Sequence, residues 1–339
     1  MKALVLKPLT KVFSMAVDIR HWLYKKEVFR SQRVRVPVIS VGNITLGGTG
    51  KTPFVDIIVK YLIEKNKTVG LVSRGYGAKE KKRGIIDQSQ RNFGLMADQY
   101  GDEPTMLQSK NPKLFVCVNP DRFQGSQELI SKKAVDVIVA DDAFQHLALH
   151  RDLDVVLIDA TEKLENLQML PLGRMREDFA ALDRADLIIL NKVNLVAPEK
   201  ILQLRSLLNT KEILEADYEF DGFYHLDSGV PMVEQPLDKY LIVSGIANNE
   251  SFLKMCRDKF AGMVCGDMGF NDHHIYRQSD INMILNKAKE LGAHRILITE
   301  KDAVKISQWK SNLFVYSVLK LSIKDDGRKL YDQIDQIIS

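Results

Sequence analysis

Residues 47–52 read Gly-Gly-Thr-Gly-Lys-Thr, and residues 141 and 142 are both aspartate. These residue types together suit one kind of chemistry. A glycine-rich turn lets backbone N–H groups close around phosphate oxygens, and the helix N-terminus behind it adds a favourable dipole. Lys51 would then reach the β- and γ-phosphates, and the Thr52 hydroxyl would take a position on Mg²⁺. The expected nucleotide-binding stretch is Thr45, Leu46, Gly47, Gly48, Thr49, Gly50, Lys51 and Thr52. It departs from G-x-x-x-x-G-K-[ST] at the first glycine, where Thr45 stands. That position is the loop entrance and needs only a tolerable turn, so binding of ATP with Mg²⁺ is still expected. Partitioning-type ATPases carry a lysine just before the double glycine, whereas this chain has Leu46.

VDVIVADD is an apolar run that finishes in acid, where the Mg²⁺-organising carboxylate of a phosphate-loop enzyme belongs. Neighbouring side chains on a strand point to opposite faces. Only one of Asp141 and Asp142 should therefore face a metal, unless the strand has already turned. Gln145 and His146 follow and could line the same cleft. Asp102 and Glu103 precede Pro104, a good first-turn residue for a helix. Asp102 is thus either a helix cap or a catalytic acid-base group. Arg74, Arg122, Arg174 and Arg176 fall on expected loops, where several together would suit a phosphorylated substrate. Asp272, His273 and His274 could be metal ligands, but a proton-handling or orienting role is preferred, because no cysteine lies near them. LNKVN (190–194) is close to a guanine-reading pattern, but Asn194 replaces its aspartate.

These residues must be held by something. Apolar strand-like runs occur at 36–41, 68–73, 114–118, 135–140, 153–159 and 186–191. Between the first two, Phe54, Ile57, Ile58, Tyr61 and Leu62 repeat with helical spacing. This is a βαβ unit with its glycines at the first turn. Continuous Val/Ile/Leu strands alternating with helices predict a parallel sheet covered on both faces. Residues 78–94 are polar and read as a surface loop, and 218–226 could supply extended connecting strands. A second α/β set follows, with strands at 240–246, 295–300 and 313–318. The expected fold is α/β: a phosphate-loop NTPase core with a mostly parallel sheet, a smaller second α/β domain, and an N-terminal amphipathic helix. The expected boundaries are 1–30 for that helix, 31–215 for the kinase-like core, 216–236 for an extended linker and 237–339 for the smaller domain.

The chain has 339 residues, net charge +4 and three scattered cysteines. That length can bury a core without staples, and the cysteine spacing does not fit a disulfide framework or a zinc site. A mildly basic balance is too weak to point to nucleic acid, but it suits anionic ligands or an anionic membrane surface. Near the start, Leu9, Val12, Phe13, Ala16, Val17 and Trp22 lie close to helical spacing among Lys11, Arg20, Lys25 and Lys26. This is either a helix packed on the body or a basic amphipathic helix lying on a membrane. No uncharged run approaches the length of a membrane span.

VPVISVGNITLGGTGKTP, SRGYG, GDEP, DDAFQH, LPLGRMRE, FNDHH and TEKDAVK occur in that order. This combination resembles the tetraacyldisaccharide 4'-kinases, the lipid A 4'-kinases, over nearly the whole chain. The family tolerates a hydroxyl residue at the position of Thr45. The resemblance implies two α/β domains with a cleft between them. It also implies transfer of the γ-phosphate of Mg·ATP to the 4'-hydroxyl of a tetraacylated disaccharide 1-phosphate. Asp102 matches the family's proposed base, His273 its partner from the second domain, and Asp141 and Asp142 its metal-organising acids. The N-terminal helix is expected on the cytoplasmic face of the bacterial inner membrane, as a peripheral anchor. Arg74, Arg122 and Arg174 become candidates for the lipid's 1-phosphate or the transferring phosphate. The chain departs from the commonest family pattern at Asn271 and Ala143. Two other readings remain: a membrane-associated nucleotide switch or partitioning ATPase, and a soluble phosphate-loop kinase or ligase.

Overall fold

The computed structural model describes residues 2–89, 93–208, 212–235, 237–272, 274–309 and 311–339. Their strands are β1 Val38–Asn43, β2 Val69–Ser73, β3 Gly84–Ile85, β4 Phe115–Val118, β5 Val137–Asp141, β6 Leu153–Asp159, β7 Leu187–Asn191, β8 Ile213–His225, β9 Tyr240–Ser244, β10 Val264–Gly269, β11 Arg295–Thr299 and β12 Phe314–Ile323. Their α-helices are α1 Lys2–Lys25, α2 Lys51–Glu64, α3 Phe93–Tyr100, α4 Asp102–Lys110, α5 Arg122–Lys133, α6 Pro198–Leu208, α7 Asn249–Lys259, α8 Gln278–Glu290, α9 Glu300–Ile306 and α10 Arg328–Ile338.

All twelve strands form one sheet in the order β10-β9-β11-β12-β8-β7-β6-β1-β5-β2-β4-β3. Pairing is parallel except at β3–β4 and β8–β12. Strands β1, β2, β5, β6 and β7 are buried along their whole length, as expected for runs of Val, Ile and Leu with helices on both faces. Helix α2 buries Phe54, Val55, Ile58, Val59 and Leu62 against them. Because β1 is flanked by β5 and β6, several strand ends meet at one edge: Asn43, Asp141 and, beyond β5, Ser73 of β2. In a doubly wound sheet, ligands bind in the crevice beyond such carboxyl ends.

The segment 218–226, expected to supply extended connecting strands, is strand up to His225, within the 13-residue β8 that starts at Ile213, so the stretch 216–225 of the expected linker is built into the sheet. β8 runs parallel to β7 and antiparallel to β12, so it carries hydrogen bonds to both halves of the sheet. Strand direction reverses there, yet the carboxyl ends of β9 and β11 still face those of β1 and β5 across one cavity. The long β8–β12 ribbon must twist and bend to allow this, and its register shifts between Val318 and Leu319. Residues 78–94, read as a surface loop, also contain β3 and the start of α3. Gly84 begins that short edge strand at φ 108°, a value that suits glycine.

Candidate functional site

β1 delivers the glycine-rich loop and α2 receives it, with Lys51 as the first helical residue. Gly47 and Gly50 sit at φ 111° and 84°. A Cβ on Gly50 would come 2.4 Å from Asn191 Nδ2, and one on Gly47 would come 2.3 Å from an Arg174 guanidinium nitrogen. Gly50 is therefore required by backbone conformation and by close approach, and Gly47 by its backbone conformation, since the Arg174 guanidinium is the movable end of its side chain. Thr45 is different. It lies in an antiparallel bridge with Met175, flanked by Leu46 N–H donating to Arg174 O at 2.7 Å and Arg176 N–H donating to Ile44 O at 2.7 Å. At Thr45 the chain is paired backbone, not part of the turn, which is why a threonine can stand there.

Two groups that sequence reasoning missed support the loop from behind. Asn191 Nδ2 donates to Thr49 O at 2.9 Å, and Lys192 Nζ donates to Gly48 O at 3.1 Å. Lys192 also pairs with Asp159, and all three side chains are buried. Asn194 bonds the backbone of Tyr218 in both directions, at 2.8 and 3.0 Å. The LNKVN segment is thus the loop's scaffold. Its polar residues at a buried strand end were the available signal.

β5 ends on Asp141, whose carboxyl accepts from Ser73 Oγ at 3.0 Å. Asp142 has φ 48°, so the strand has turned and both acids line the same cavity. The exception anticipated from the sequence is the geometry found. Burial, with the like charges of Glu103 and Asp142, pushes Asp141 up to about 7. Burial alone would raise Asp142 too, but Lys51 and Arg176 outweigh it and hold that carboxyl well below the usual range. Lys51 Nζ lies 3.3 Å from Asp142 Oδ1 and donates to Asn43 Oδ1 at 3.2 Å. Arg176 donates to Asp142 at 3.0 Å, Gln145 at 3.2 Å and Asn43 at 3.1 Å. It is a central residue of the site, and its spacing of two from Arg174 in an extended segment was the legible hint.

The cavity holds about 770 Å³. One wall carries residues 46–53, Arg74, Glu103, Arg122, Asp141, Asp142, Arg174 and Arg176. The other carries Ile246, Asn248, Phe252, Asn271, Asp272, Glu300 and Lys301. Arg122 is not loop decoration: it opens α5, is buried, and donates to Asp141 O at 3.3 Å. Arg74 is exposed at the rim. Gln145 is held between Asn43 O and Arg176, just behind the lining. His146 does not line the cavity. Burial, aided by Arg122, pushes its imidazole down to about 4, and Nε2 has no hydrogen-bond partner. Ala143 is fully buried in the core.

Asp102 is the first residue of α4 and is buried. Its Oδ1 accepts the Glu103 N–H at 3.0 Å, and its Oδ2 is 3.6 Å from Lys301 Nζ. It faces a small recess of about 30 Å³ with Tyr276 and Lys305, while Glu103 faces the main cavity. His273 lies outside the described residues. His274 bonds Asp280 at 3.1 Å and packs on Phe270 and Tyr276, so it supports the local fold ahead of α8. Among the described residues no group of three or more His, Cys, Asp or Glu side chains converges as a metal site.

The residues nevertheless suit a nucleotide with one divalent ion. The glycines leave a cradle that side chains would fill, and the buried Thr49 hydroxyl has no partner. Asp142 is already matched by Lys51 and Arg176, but Asp141, pushed to about 7 by burial and like charge, is a carboxyl that an added cation would hold ionised.

Comparison with known proteins agrees. The LpxK family profile, tetraacyldisaccharide-1-P 4'-kinase, matches residues 2–339. The chain is similar to the tetraacyldisaccharide 4'-kinase of Bdellovibrio bacteriovorus, 36% identical over 339 residues and 98% of each chain. It is also similar to that of Chlorobaculum tepidum, 37% identical over 310 residues, 90% of this chain and 87% of the other. Among solved structures, the "apo" form LpxK from Aquifex aeolicus in complex with ATP shares the fold at TM-score 0.75 and 26% identity, over 100% of both chains.

Proposed function

The chain belongs to the tetraacyldisaccharide 4'-kinase family, and from that premise we infer how its residues divide the work. The enzyme moves the γ-phosphate of ATP onto the 4'-hydroxyl of tetraacyldisaccharide 1-phosphate, a step of lipid A biosynthesis. Such transfer needs positioning and charge neutralisation more than covalent chemistry.

In our reading the loop from Thr45 to Thr52 wraps the phosphates, and Lys51 neutralises charge on the one being transferred. Thr52, Asp141 and Asp142 would hold Mg²⁺, which when bound would supply positive charge against the phosphates. Arg176 keeps Asp142 and Gln145 aligned, so neither acid has to reorganise during transfer. Arg122 and Arg174 meet anionic oxygens inside the cavity, and Arg74 meets them at its rim. Asp102 takes the proton of the 4'-hydroxyl, with His273 as its partner by family resemblance. Residues 31–215 and 237–339 act as two lobes joined by 216–236, closing on the substrates and keeping water out.

Helix α1 would rest on the membrane. Leu9, Val12, Met15, Ile19 and Trp22 form an exposed apolar stripe with Lys7, Lys11, Arg20 and Lys25 around it. No helix among the described residues is long and apolar enough to cross a bilayer. We place this contact on the cytoplasmic face of the inner membrane, with residues 1–30 as the anchor.

The observation that carries this reading is one cavity walled by the phosphate loop, both strand-end acids and a ring of arginines. Steady-state kinetics on Asp102→Ala tests it. Turnover should fall by roughly 10²–10⁴-fold, the usual contribution of a general base, while ATP affinity stays within a few-fold. Near-normal turnover would remove Asp102 from that role.

A further inference from the structure

The start of α4 is gripped from the other lobe. Lys301, on α9, places Nζ 3.0 Å from Glu103 Oε1, 3.6 Å from Asp102 Oδ2 and 3.8 Å from Asp272 Oδ1. Lys305, one turn further, is 3.8 Å from Asp102 Oδ2 and is itself held by Asp302 at 3.1 Å. Glu300, beside Lys301, accepts from Lys110 at the far end of α4, at 3.0 Å. Three polar side chains of α9, Glu300, Lys301 and Lys305, therefore hold α4 at both of its ends.

The charges decide what Lys301 can do. It lines the main cavity, but three carboxylates surround it, so its positive charge is already more than matched. It is poorly placed to act as a phosphate ligand. Its effect must fall on the acids it holds. Asp102 and Glu103 are adjacent and carry like charge, and without a cation between them they would repel and turn apart. A half-buried ammonium with several carboxylate partners also has little rotamer freedom, so it transmits the position of α9 to them.

We propose that Lys301 is a positioning residue for phosphoryl transfer: from the second lobe it sets the Asp102 and Glu103 carboxylates in the geometry that receives the acceptor hydroxyl. The base is then in place only while α9 and α4 are together, so proton acceptance is tied to lobe closure. This rests on the reading of Asp102 as the base. A simple interlobe clasp would use the same contacts, but it predicts a different energetic coupling.

A double-mutant cycle on the full-length chain separates the two. The four proteins are wild type, Lys301→Met, Asp102→Ala and the double variant. Each is assayed for kcat, for KM of ATP and of tetraacyldisaccharide 1-phosphate, and for ATP affinity by calorimetry, which also reports an intact fold. We expect Lys301→Met to lower kcat by about 10- to 100-fold with KM for ATP changed less than about threefold. In the Asp102→Ala background the same change should cost less than about threefold, because the group it positions is gone. Lys301→Arg, which keeps the cation, should recover most of the loss. An equal, multiplicative loss in both backgrounds would overturn the proposal in favour of a clasp. So would a loss confined to KM for ATP. Near-normal kcat for Asp102→Ala alone would instead overturn the base assignment, and the proposal with it.

Discussion

At the scale of single residues, chemistry is concentrated in side chains that hold other side chains. Arg176 shows this best: one guanidinium serves Asp142, Gln145 and Asn43. A lysine cannot reproduce that planar fork. Arg176→Lys should therefore lower kcat by roughly 10- to 100-fold, with thermal stability nearly unchanged, as initial-rate kinetics and a melting curve would show. Gly50 makes a second case, because its φ of 84° and the nearby Asn191 amide both exclude a side chain. Gly50→Ala should weaken ATP binding by about tenfold, in line with roughly 1–2 kcal/mol for forcing an L-residue into that region, as read by calorimetry. An unchanged affinity would mean the loop can reshape at no cost. That Lys51, Thr52, Asp141 and Asp142 line one cavity was legible in the sequence, because it follows from residue type and position along the chain. Arg176 and Lys301 were not assigned roles, because their meaning depends on which carboxylates the fold brings to them. The place of Thr45 was legible in outcome but not in cause: its tolerance comes from pairing with Met175, a residue 130 positions away.

At the scale of elements, α1 is joined to the site by its C-terminal half. Arg20 donates to the Gln145 carbonyl at 2.8 Å, and His21 Nε2 donates to Glu177 Oε1 at 2.8 Å. Glu177 is adjacent to Arg176 and also accepts from Arg184 at 2.7 Å. Burial would raise this carboxyl, but His21 and Arg184 outweigh it and hold it below its ordinary 4.5. A carboxyl depressed in the folded state contributes stability above that ordinary value and loses it as pH falls through the folded one. Glu177→Gln should thus melt below wild type at about pH 7, and the two curves should converge as pH falls below 4.5 and through the folded value. A gap that persisted in acid would show that the charge is not what matters. The apolar stripe makes a separate prediction. Val12→Glu with Ile19→Glu should reduce co-sedimentation with anionic-lipid vesicles several-fold, and should leave ATP affinity unchanged, since neither residue lines the cavity. Equal sedimentation would count against the membrane role. Amphipathic spacing was enough to find this helix. It could not give the polar contacts at residues 20 and 21, whose partners lie more than 120 residues away. β8 was legible only in part: the alternation of polar and apolar residues in YEFDGFYHL fits an extended strand, but its pairing with both β7 and β12 is set by tertiary neighbours.

At the scale of the whole molecule, one twelve-stranded sheet carries both α/β sets, and loops from its two halves face each other over one cavity, with polar bridges between them. Lys110–Glu300 and Lys301–Glu103 are two of these, and Asn248 adds a hydrogen bond to Thr161 at 3.0 Å. The sequence showed two α/β sets, because hydrophobic periodicity restarts near residue 240. It could not show that the reversed strand direction at β8–β12 still brings both sets of loops to one cleft, since that depends on twist. The cleft is the basis of the central claim, which is transfer to a lipid hydroxyl and not turnover by a nucleotide switch. The most direct measurement supplies γ-³²P-ATP and tetraacyldisaccharide 1-phosphate to the full-length chain, with and without Mg²⁺, and follows both labelled lipid and free phosphate. The account predicts Mg²⁺-dependent label in the lipid as a 4'-phosphate monoester, with one ATP consumed per lipid and little hydrolysis when lipid is left out. ATP hydrolysis at the same rate without lipid, and no label in it when present, would contradict the account.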